Sequence, residues 1–249
     1  HDQPGDPGDL DLVQGERVFI ERIDISGNTR TLDRVIRRQF NVVEGDAFNA
    51  REIRGAEDRI RGLGYFKTAT VQVRDGSTPD RALVDVSVEE QSTGSLSLGG
   101  AFSSDEGLTA QVSITERNFL GRGQTVSATV AANTEFGNLE FGFVEPALYD
   151  RDLLGGFTVY YRTRSFSEQT FAQRNIGFEP RIGFPVSEHG RLVLRYRISE
   201  DTISDVDDDT SLIIINEEGS RITSSVGGTY SYDRRNSVVD PTAGFILTA

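Results

Sequence analysis

The chain contains no cysteine, methionine or tryptophan, and its two histidines are His1 and His189. Without cysteine it can have no disulfide, no thiolate nucleophile and no cysteine-ligated zinc site. Two histidines so far apart in sequence do not favour a histidine metal site or a catalytic triad. The sequence therefore indicates no catalytic residue, no cofactor-binding residue and no metal ligand, and we expect no enzymatic activity.

Positive charge is also scarce, since 26 Lys and Arg stand against 39 Asp and Glu and give a formal net charge of -13. Nucleic-acid binding needs an excess of basic side chains, so we expect no nucleic-acid partner. The acidic run at 205–209 resembles the start of a calcium-binding loop, but Leu212 stands where that loop requires glycine. We interpret this run as a solvated loop.

Long apolar runs are absent, and no segment approaches the roughly 20 apolar residues that a membrane helix needs. A membrane-spanning β-strand needs only about 10 residues, of which every second one is apolar. Strands that cross a membrane therefore remain possible. Because residue 1 is not methionine and no signal peptide is recognisable, we expect a mature or truncated piece of a longer protein.

The composition changes at residue 17. Residues 1–16 are rich in Pro, Gly and Asp, and they are predicted to be a linker or the end of a preceding domain. Residues 17–91 predict the order strand, helix, helix, strand, strand, with Thr31 as the N-cap of the first helix and Asn49 and Glu52 as a capping box on the second. Each helix has one apolar face, so we expect an α+β domain in which both helices cover one face of a small sheet.

After residue 91 the helical pattern gives way to strands that recur every ~10 to 25 residues. We expect about eight strands and the start of a ninth in residues 92–249. One face of these strands is almost uncharged, whereas the other carries Arg162, Arg164, Glu179, Arg181, Arg195 and Arg197. Alternation alone fits a soluble barrel or sandwich as well as a membrane barrel, because it does not say which face meets solvent. The many small residues and the charged face favour a transmembrane barrel whose polar lumen is lined by these six side chains.

Five short motifs decide between these alternatives. They are ISGNTRT at 25–31, GLGYF at 62–66, NFLGRGQ at 118–124, FVEPALYDRDLLG at 143–155 and DRRNSVVDPTAGF at 233–245. Together they resemble the BamA family of outer-membrane β-barrel assembly proteins, over nearly the whole chain from Arg17 onward. The Asn-Phe-Leu-Gly-x-Gly motif also occurs in the related TamA proteins, so the motifs identify the superfamily better than its member.

This resemblance implies an architecture and a location. Residues 17–91 resemble the membrane-proximal POTRA domain, and residues 92–249 resemble the N-terminal part of an all-β antiparallel transmembrane barrel. The family barrel continues beyond such a segment, so the chain is similar to a BamA-like protein truncated at both ends. The implied location is the outer membrane of a Gram-negative bacterium, with the POTRA domain in the periplasm.

The resemblance also implies a function: to insert and fold β-barrel proteins in the outer membrane. The implied partners are unfolded outer-membrane barrel clients, accessory assembly lipoproteins and outer-membrane lipid. The first barrel strand would form a lateral seam that opens to a client strand, and it consists of Gly94, Ser95, Leu96, Ser97, Leu98, Gly99, Gly100, Ala101 and Phe102. Its glycines would weaken the seam or only permit barrel curvature.

Three further expectations are open at this point. Glu44 matches a family position that meets an accessory lipoprotein, although an acid in a turn also needs no partner. The arginines of the charged face could line an anion pathway or pair with acidic neighbours. The alternative functions are a POTRA-bearing protein secretion pore and a TamA-like translocation and assembly protein.

Overall fold

The computed structural model describes residues 17–103, 107–166, 171–207, 210–236 and 241–249, so the predicted linker at 1–16 lies outside the described residues. The first unit is an α+β domain. Its elements are β1 (Phe19–Ser26), α1 (Asp33–Arg37), α2 (Ala50–Gly62), β2 (Phe66–Asp75) and β3 (Arg81–Glu90). The sheet order is β1-β3-β2, with β1 parallel and β2 antiparallel to the central strand β3. The predicted strand, helix, helix, strand, strand order is confirmed.

The hydrophobic core of this domain lies between the sheet and the two helices. Alternate residues of β3 are buried, as expected of a strand with one covered face, and α2 buries the stripe Ile53, Ala56 and Ile60. The core consists of Ile20, Ile23, Val35, Ile36, Phe40, Ile53, Ala56, Ile60, Tyr65, Phe66, Ala69, Val84, Val86 and Val88.

The two helix starts differ from each other. Asn49 caps α2 as predicted, because its side chain accepts a hydrogen bond from the Arg51 amide at 3.0 Å. Glu52 accepts from the Asn41 side chain at 2.9 Å, and no bond from Glu52 back to the Asn49 amide completes the capping box within the described residues. The prediction that Thr31 caps α1 is wrong: the N-cap is Leu32, which has no side-chain cap.

The second unit is a nine-stranded antiparallel sheet in which every strand pairs with its neighbours in sequence. Its strands are β4 (Gly94–Ser103), β5 (Gly107–Phe119), β6 (Gln124–Ala132), β7 (Phe136–Glu145), β8 (Leu154–Phe166), β9 (Phe171–Pro185), β10 (Gly190–Ser204), β11 (Gly219–Asp233) and β12 (Ile246–Thr248). Eight long strands and a short ninth agree with the prediction. The loop predicted between β10 and β11 contains one short helix, α3 (Leu212–Asn216).

The two faces of this sheet differ in polarity. The strand register aligns one apolar row across seven strands, which consists of Leu96, Ile114, Ala128, Phe141, Val159, Phe178 and Ile198. We call the side of the sheet that carries this row the apolar face and the opposite side the polar face. Side chains on the apolar face contact one another but are not covered. The Phe157 ring lies 6.1 Å from Phe141 and 5.9 Å from Phe178, for example, and Phe141 is still 42% exposed. In the described part of the chain, no helix has both the length and the hydropathy needed to cross a membrane.

Candidate functional site: the first strand of the large sheet and the domain beneath it

Strand β4, the predicted seam strand, lies at one edge of the nine-stranded sheet. It pairs with β5 in an unbroken register from Gly94 opposite Glu116 to Ser103 opposite Gly107. Among the described residues no strand pairs with its other side. Its apolar side chains are exposed, and Leu98 is 74% exposed. The structure therefore places Gly94 to Phe102 together on one edge, as a lateral seam requires.

The hydrogen-bond pattern identifies which β4 backbone groups point away from β5. The Arg117 amide donates to the Thr93 carbonyl at 3.3 Å, so these two residues form a hydrogen-bonded antiparallel pair. Such pairs alternate with non-bonded ones along the ladder. It follows that Ser95, Ser97, Gly99 and Ala101 use their amides and carbonyls toward β5. The amides and carbonyls of Leu96, Leu98, Gly100 and Phe102 point to the unpaired edge.

Two glycines in the middle of β4 are not required by close packing. A Cβ added to Gly99 would lie 3.9 Å from its nearest neighbour, and one added to Gly100 would lie 3.7 Å away. Both are ordinary contact distances, and neither glycine has a positive φ. Because a Cβ would fit at both positions, the effect of these glycines on the strand is the loss of cross-strand packing.

The six predicted lumen-facing charges all lie on the polar face. Arg162 contacts Glu140 at 3.1 Å and Arg197 contacts Glu179 at 2.7 Å, each across one strand pair. Arg164 lies with its guanidinium carbon 5.9 Å from the centre of the Phe136 ring. Arg181 and Arg195 are directly opposite each other, and neither has an ion pair within the described residues. The polar face therefore combines paired and unpaired arginines.

Glu44 is not the isolated acid that its turn position indicates. Its Oε1 accepts hydrogen bonds from the Ile23 amide and from the Arg37 side chain, both at 3.1 Å. The Ile23 bond, aided by Arg37, lowers the pKa of Glu44 below its ordinary value despite partial desolvation. Glu44 Oε2 has no hydrogen bond within the described residues, so one oxygen of an ionised carboxylate is available on the surface.

The two outer edges of the small sheet differ in accessibility. Along β1, the Ile20 amide and carbonyl bond to the segment at 43–48, through Asp46 at 2.9 Å and Gly45 at 2.7 Å. On the other edge, Arg61 donates to the Ala69 carbonyl at 3.1 Å. The antiparallel alternation then leaves Val71 and Val73 with amides and carbonyls that point outward. Strand β2 is the edge that an extended peptide could reach.

A carboxylate at the end of β3 fixes the loop before α1. Glu90 accepts hydrogen bonds from the Thr31 amide and the Thr29 hydroxyl, each at 2.7 Å, and from the Arg30 amide at 3.1 Å. Desolvation alone would raise the pKa of Glu90, but bonds from the amides of Thr31 and Arg30 and the hydroxyls of Thr29 and Thr31 outweigh it and lower the pKa to about 2. Glu90 therefore stays ionised and holds residues 29–31 in place.

Sequence reasoning did not foresee what the β5–β6 turn does. The motif at 118–124 forms this turn, and the turn contacts the loop before α1 through Leu32, whose amide donates to the Gly121 carbonyl at 2.9 Å. The two units of the chain therefore meet at this motif. The recognisable signal is its pair of glycines, since Gly121 and Gly123 both have positive φ angles of +70° and +72°.

No group of three or more His, Asp or Glu side chains suited to a metal ion occurs among the residues that the structure describes. The geometry thus consists of an open strand edge, an exposed apolar face, a charged polar face and a small domain attached at one end. Such an arrangement presents backbone groups and apolar side chains at its surface.

Comparison with known proteins identifies relatives for both units. Residues 118–249 match the Omp85 superfamily domain, and residues 18–91 match the POTRA family, described as a surface antigen variable number repeat. The outer membrane protein assembly factor BamA of Nitratidesulfovibrio vulgaris is 29% identical over 93% of this chain and 29% of its own length. BamA of Neisseria meningitidis is 26% identical over 74% of this chain and 24% of its own length. The chain thus spans about a quarter to a third of the length of these curated relatives.

Solved structures show the same fold. BamA from Haemophilus ducreyi lacking POTRA domains 1–3 superposes with a TM-score of 0.68 at 21% identity, over 94% of this chain and 49% of that one. CdiB from Acinetobacter baumannii superposes with a TM-score of 0.57 at 12% identity, over 88% of this chain and 43% of that one. The fold is therefore a POTRA domain followed by part of an Omp85 barrel.

Proposed function

Because this chain belongs to the Omp85 superfamily, we propose that its parent protein inserts and folds β-barrel proteins in the outer membrane of a Gram-negative bacterium. In this proposal the POTRA domain lies in the periplasm, and the nine-stranded sheet is the first part of the transmembrane barrel. The partners are unfolded outer-membrane barrel clients, outer-membrane lipid and accessory lipoproteins. The chemistry is the formation of backbone hydrogen bonds, without a catalytic residue or a cofactor.

The observation that carries the proposal is the row of β4 backbone groups that point away from β5. Its outward amides and carbonyls belong to Leu96, Leu98, Gly100 and Phe102, so a client strand that adds here forms a ladder beside the apolar face. In hydrocarbon an unpaired amide costs several kcal/mol, so a template that pairs the client strand as it enters lowers that cost. Energy then comes from client folding and burial rather than from nucleotide hydrolysis.

The POTRA domain offers a second place for strand addition. Its β1 edge is covered by the segment at 43–48, whereas β2 exposes the backbone of Val71 and Val73. An extended client segment would pair with β2 before it reaches β4. Glu44, with one free carboxylate oxygen, is the proposed contact for a basic side chain of an accessory lipoprotein.

A secretion pore is the second candidate, and the polar face favours it. Arg181 and Arg195 lie opposite each other without acidic partners in the described residues, and a lumen with unpaired cations could guide an unfolded acidic chain. The fold is compatible with this candidate because CdiB also superposes on the chain. A TamA-like assembly protein is a third candidate that shares the seam.

The test uses the full-length parent protein in liposomes and times the folding of a urea-denatured outer-membrane barrel by its gel-mobility shift. A Leu98→Pro substitution removes an edge amide that makes no β4–β5 hydrogen bond. We expect the wild-type parent to accelerate folding over empty liposomes and Leu98→Pro to remove most of the acceleration. Leu98→Ala is the matched control, because it shortens the same side chain and keeps the amide.

The outcomes separate the candidates. An unaltered rate in Leu98→Pro would exclude β4 as the template, provided that the variant's own barrel shows the normal mobility shift. No acceleration by the wild-type parent, even with candidate accessory lipoproteins added, would favour the secretion pore. For Glu44, a Glu44→Gln variant retains an oxygen acceptor for the Ile23 amide but loses the charge, so weaker lipoprotein binding without POTRA unfolding would support the contact.

A further inference from the structure

The β5–β6 turn is joined to the POTRA domain by three hydrogen bonds. The Asn118 side-chain amide donates to the Thr31 hydroxyl at 2.8 Å, and the Leu32 amide donates to the Gly121 carbonyl at 2.9 Å. The Tyr65 hydroxyl donates to the Gly123 carbonyl at 3.3 Å, and this bond is buried. Thr31 is only 3% exposed. At Thr31 and Tyr65, therefore, a lost partner would leave a buried polar atom unsatisfied.

Asn118 holds both sides of this contact at once. Its Oδ1 accepts from the Gly123 amide at 2.8 Å, which closes the turn, while its Nδ2 reaches Thr31. Thr31 is in turn held in place because its backbone amide donates a hydrogen bond to Glu90 Oε1 at 2.7 Å. The turn and the POTRA loop are thus preorganised independently, and the bond between Asn118 and Thr31 connects two rigid pieces.

Glycine is needed in this turn because the POTRA backbone comes so close. A Cβ on Gly121 would lie 1.9 Å from the Arg30 carbonyl oxygen, and one on Gly123 would lie 2.6 Å from the Arg38 guanidinium. A distance below 3.0 Å to backbone forces a shift of one of the two units. A side chain at position 121 is therefore incompatible with the docked position of the POTRA domain.

The same turn is connected to the base of β4. Glu116 is opposite Gly94, the first residue of β4, and its Oε1 accepts from the Asn118 amide at 2.8 Å and from the Thr93 hydroxyl. A continuous chain of hydrogen bonds therefore leads from Thr31 of the POTRA domain through Asn118 and Glu116 to Thr93. Thr93 directly precedes Gly94, where the proposed seam begins.

We propose that Asn118 and Gly121 form a docking latch that fixes the orientation of the POTRA domain against the Gly94 end of β4. A client or partner that moves the POTRA domain then also acts on the seam. The coupling to the seam rests on the function proposed above. Asn118 is a positioning residue in this scheme and need not touch the client. Because the contact is polar and narrow, the latch can open and close without loss of either fold.

The experiment measures the distance between the two units by paired spin labels in the full-length parent in liposomes. Labels are attached at Arg54→Cys on α2 and Glu188→Cys in the β9–β10 turn, after replacement of any cysteine elsewhere in the parent. Both positions are exposed, neither side chain has a hydrogen bond or ion pair among the described residues, and these 249 residues contain no native cysteine. The readout is the distance distribution between the labels, together with the client-folding rate described above.

Two matched pairs of variants test the latch. Thr31→Val removes the hydroxyl that Asn118 contacts, together with that hydroxyl's bond to Glu90 inside the POTRA domain. Between the two units one hydrogen bond is lost, and we expect the docked population to fall by about two- to tenfold relative to the undocked one. Asn133→Ala is its control, because Asn133 has a similar network at the opposite end of β6, with Thr109 at 3.0 Å and the Phe136 amide at 2.6 Å. Thr31→Ser restores the hydroxyl and should restore the distances.

Gly121→Ala should separate the two units further, since its methyl group collides with the Arg30 carbonyl. Gly107→Ala is its control: Gly107 has nearly the same φ, +74° against +70°, but an added Cβ meets nothing within 4 Å. Both substitutions strain a left-handed residue equally, so a difference between them reports docking alone.

A wider or shifted distribution in Thr31→Val and Gly121→Ala, but not in their controls, supports the latch. Unchanged distances in both variants would overturn it, and normal gel mobility shows that the barrel of each variant is folded. If the distances change while the client-folding rate does not, the coupling to the seam is wrong. If the wild-type parent does not accelerate folding at all, the proposed function fails, whereas the distances still decide the latch.

Discussion

The POTRA domain and the nine-stranded sheet place the same side chains in opposite environments. Val84 in β3 is fully buried, whereas Val159 in β8 is 41% exposed on an apolar face that runs across seven strands. The POTRA domain has a core between sheet and helices, and its charges lie outside. The large sheet has its charges on one face and its apolar side chains uncovered on the other. The difference shows that the two units are built for different solvents.

Water suits the first unit and does not suit the second. Apolar surface exposed to water costs about 25 cal/mol per Å², and soluble monomers rarely expose apolar patches above a few hundred Å². A hydrocarbon environment removes this cost, and it also requires every backbone group of a spanning strand to be paired. A long antiparallel ladder with an uncovered apolar face satisfies both conditions. Among the described residues, backbone groups without a partner strand lie at both outer edges of the sheet, along β4 and along β11 and β12. We place function at β4 because it is the predicted seam strand.

The largest expected effect comes from shortening one buried side chain in the POTRA core. Ile36→Ala removes a fully buried side chain and should destabilise the domain by about 2–5 kcal/mol. Val43→Ala, at an exposed position, is the control and should change stability by less than about 0.5 kcal/mol. Hydrogen exchange of the β3 amides in the full-length parent measures the difference. Equal exchange in both variants would mean that this domain is not stabilised by its own core.

A charge placed on either face of the large sheet tests the second half of the comparison. Val159→Arg puts a guanidinium on the apolar face and should destabilise the barrel in lipid by about 2–4 kcal/mol if the residue lies near the bilayer midplane. Thr158→Arg is the control at the same depth on the polar face, opposite Glu179, and should be nearly neutral. Unfolding in liposomes, followed by gel mobility, gives both values. The reverse order would invert our assignment of the two faces.

Much of this comparison could be predicted from the sequence, because it depends on periodicity. Alternate apolar residues at Phe157, Val159 and Tyr161 predicted a strand with one apolar face, and the spacing of Ile53, Ala56 and Ile60 predicted a helix with one covered side. These local patterns give the order of elements. They do not show which face meets lipid, and the motifs at 62–66 and 118–124 supplied that step through their resemblance to a family.

Contacts between the two units could not be predicted in this way. Asn118 and Thr31 are 87 residues apart, and a single polar pair at that separation has no period. A threonine just before a helix usually caps it, which predicts Thr31 as the cap of α1, but tertiary structure gives its hydroxyl another partner. Glu44 was likewise interpreted as an isolated acid, since the amide of Ile23 that it accepts from lies on β1, 21 residues earlier.

A smaller effect is expected at Glu90, where the POTRA loop is fixed to β3. Glu90→Gln removes the ionised acceptor for the Thr31 and Arg30 amides and should cost about 1–2 kcal/mol of local stability. The measurement is hydrogen exchange of the peptide at 28–33 in the full-length parent. Glu89→Gln is the control, because the contacts of Glu89 with Lys67 at 3.3 Å and with the Thr68 hydroxyl at 3.5 Å are both exposed. This variant should lose less than about 0.5 kcal/mol.

The lowered pKa of Glu90 predicts how its stabilising effect changes with pH. The pKa of Glu90 is lowered from 4.5 to about 2 in the folded chain, so its contribution is complete above about pH 4.5 and is lost as pH falls toward 2. The difference in protection between wild type and Glu90→Gln should therefore shrink over that range. A difference that stays constant from pH 5 down to about pH 2 would show that the charge of Glu90 does not hold the loop.

The smallest effects should be those of cross-strand ion pairs, and they compare the two units most directly. Lys67 and Glu89 pair across the POTRA sheet at 3.3 Å, and Arg162 and Glu140 pair across the polar face of the barrel at 3.1 Å. If the polar face meets water, Lys67→Gln and Arg162→Gln should each cost no more than about 1 kcal/mol, and the cost should fall as salt is added. Denaturant unfolding at two salt concentrations measures both.

If the polar face were dry, Arg162→Gln would leave Glu140 without its partner in a medium of low dielectric and would cost about 3–5 kcal/mol. Similar small values for both pairs would mean that water reaches the polar face of the barrel as freely as the POTRA surface.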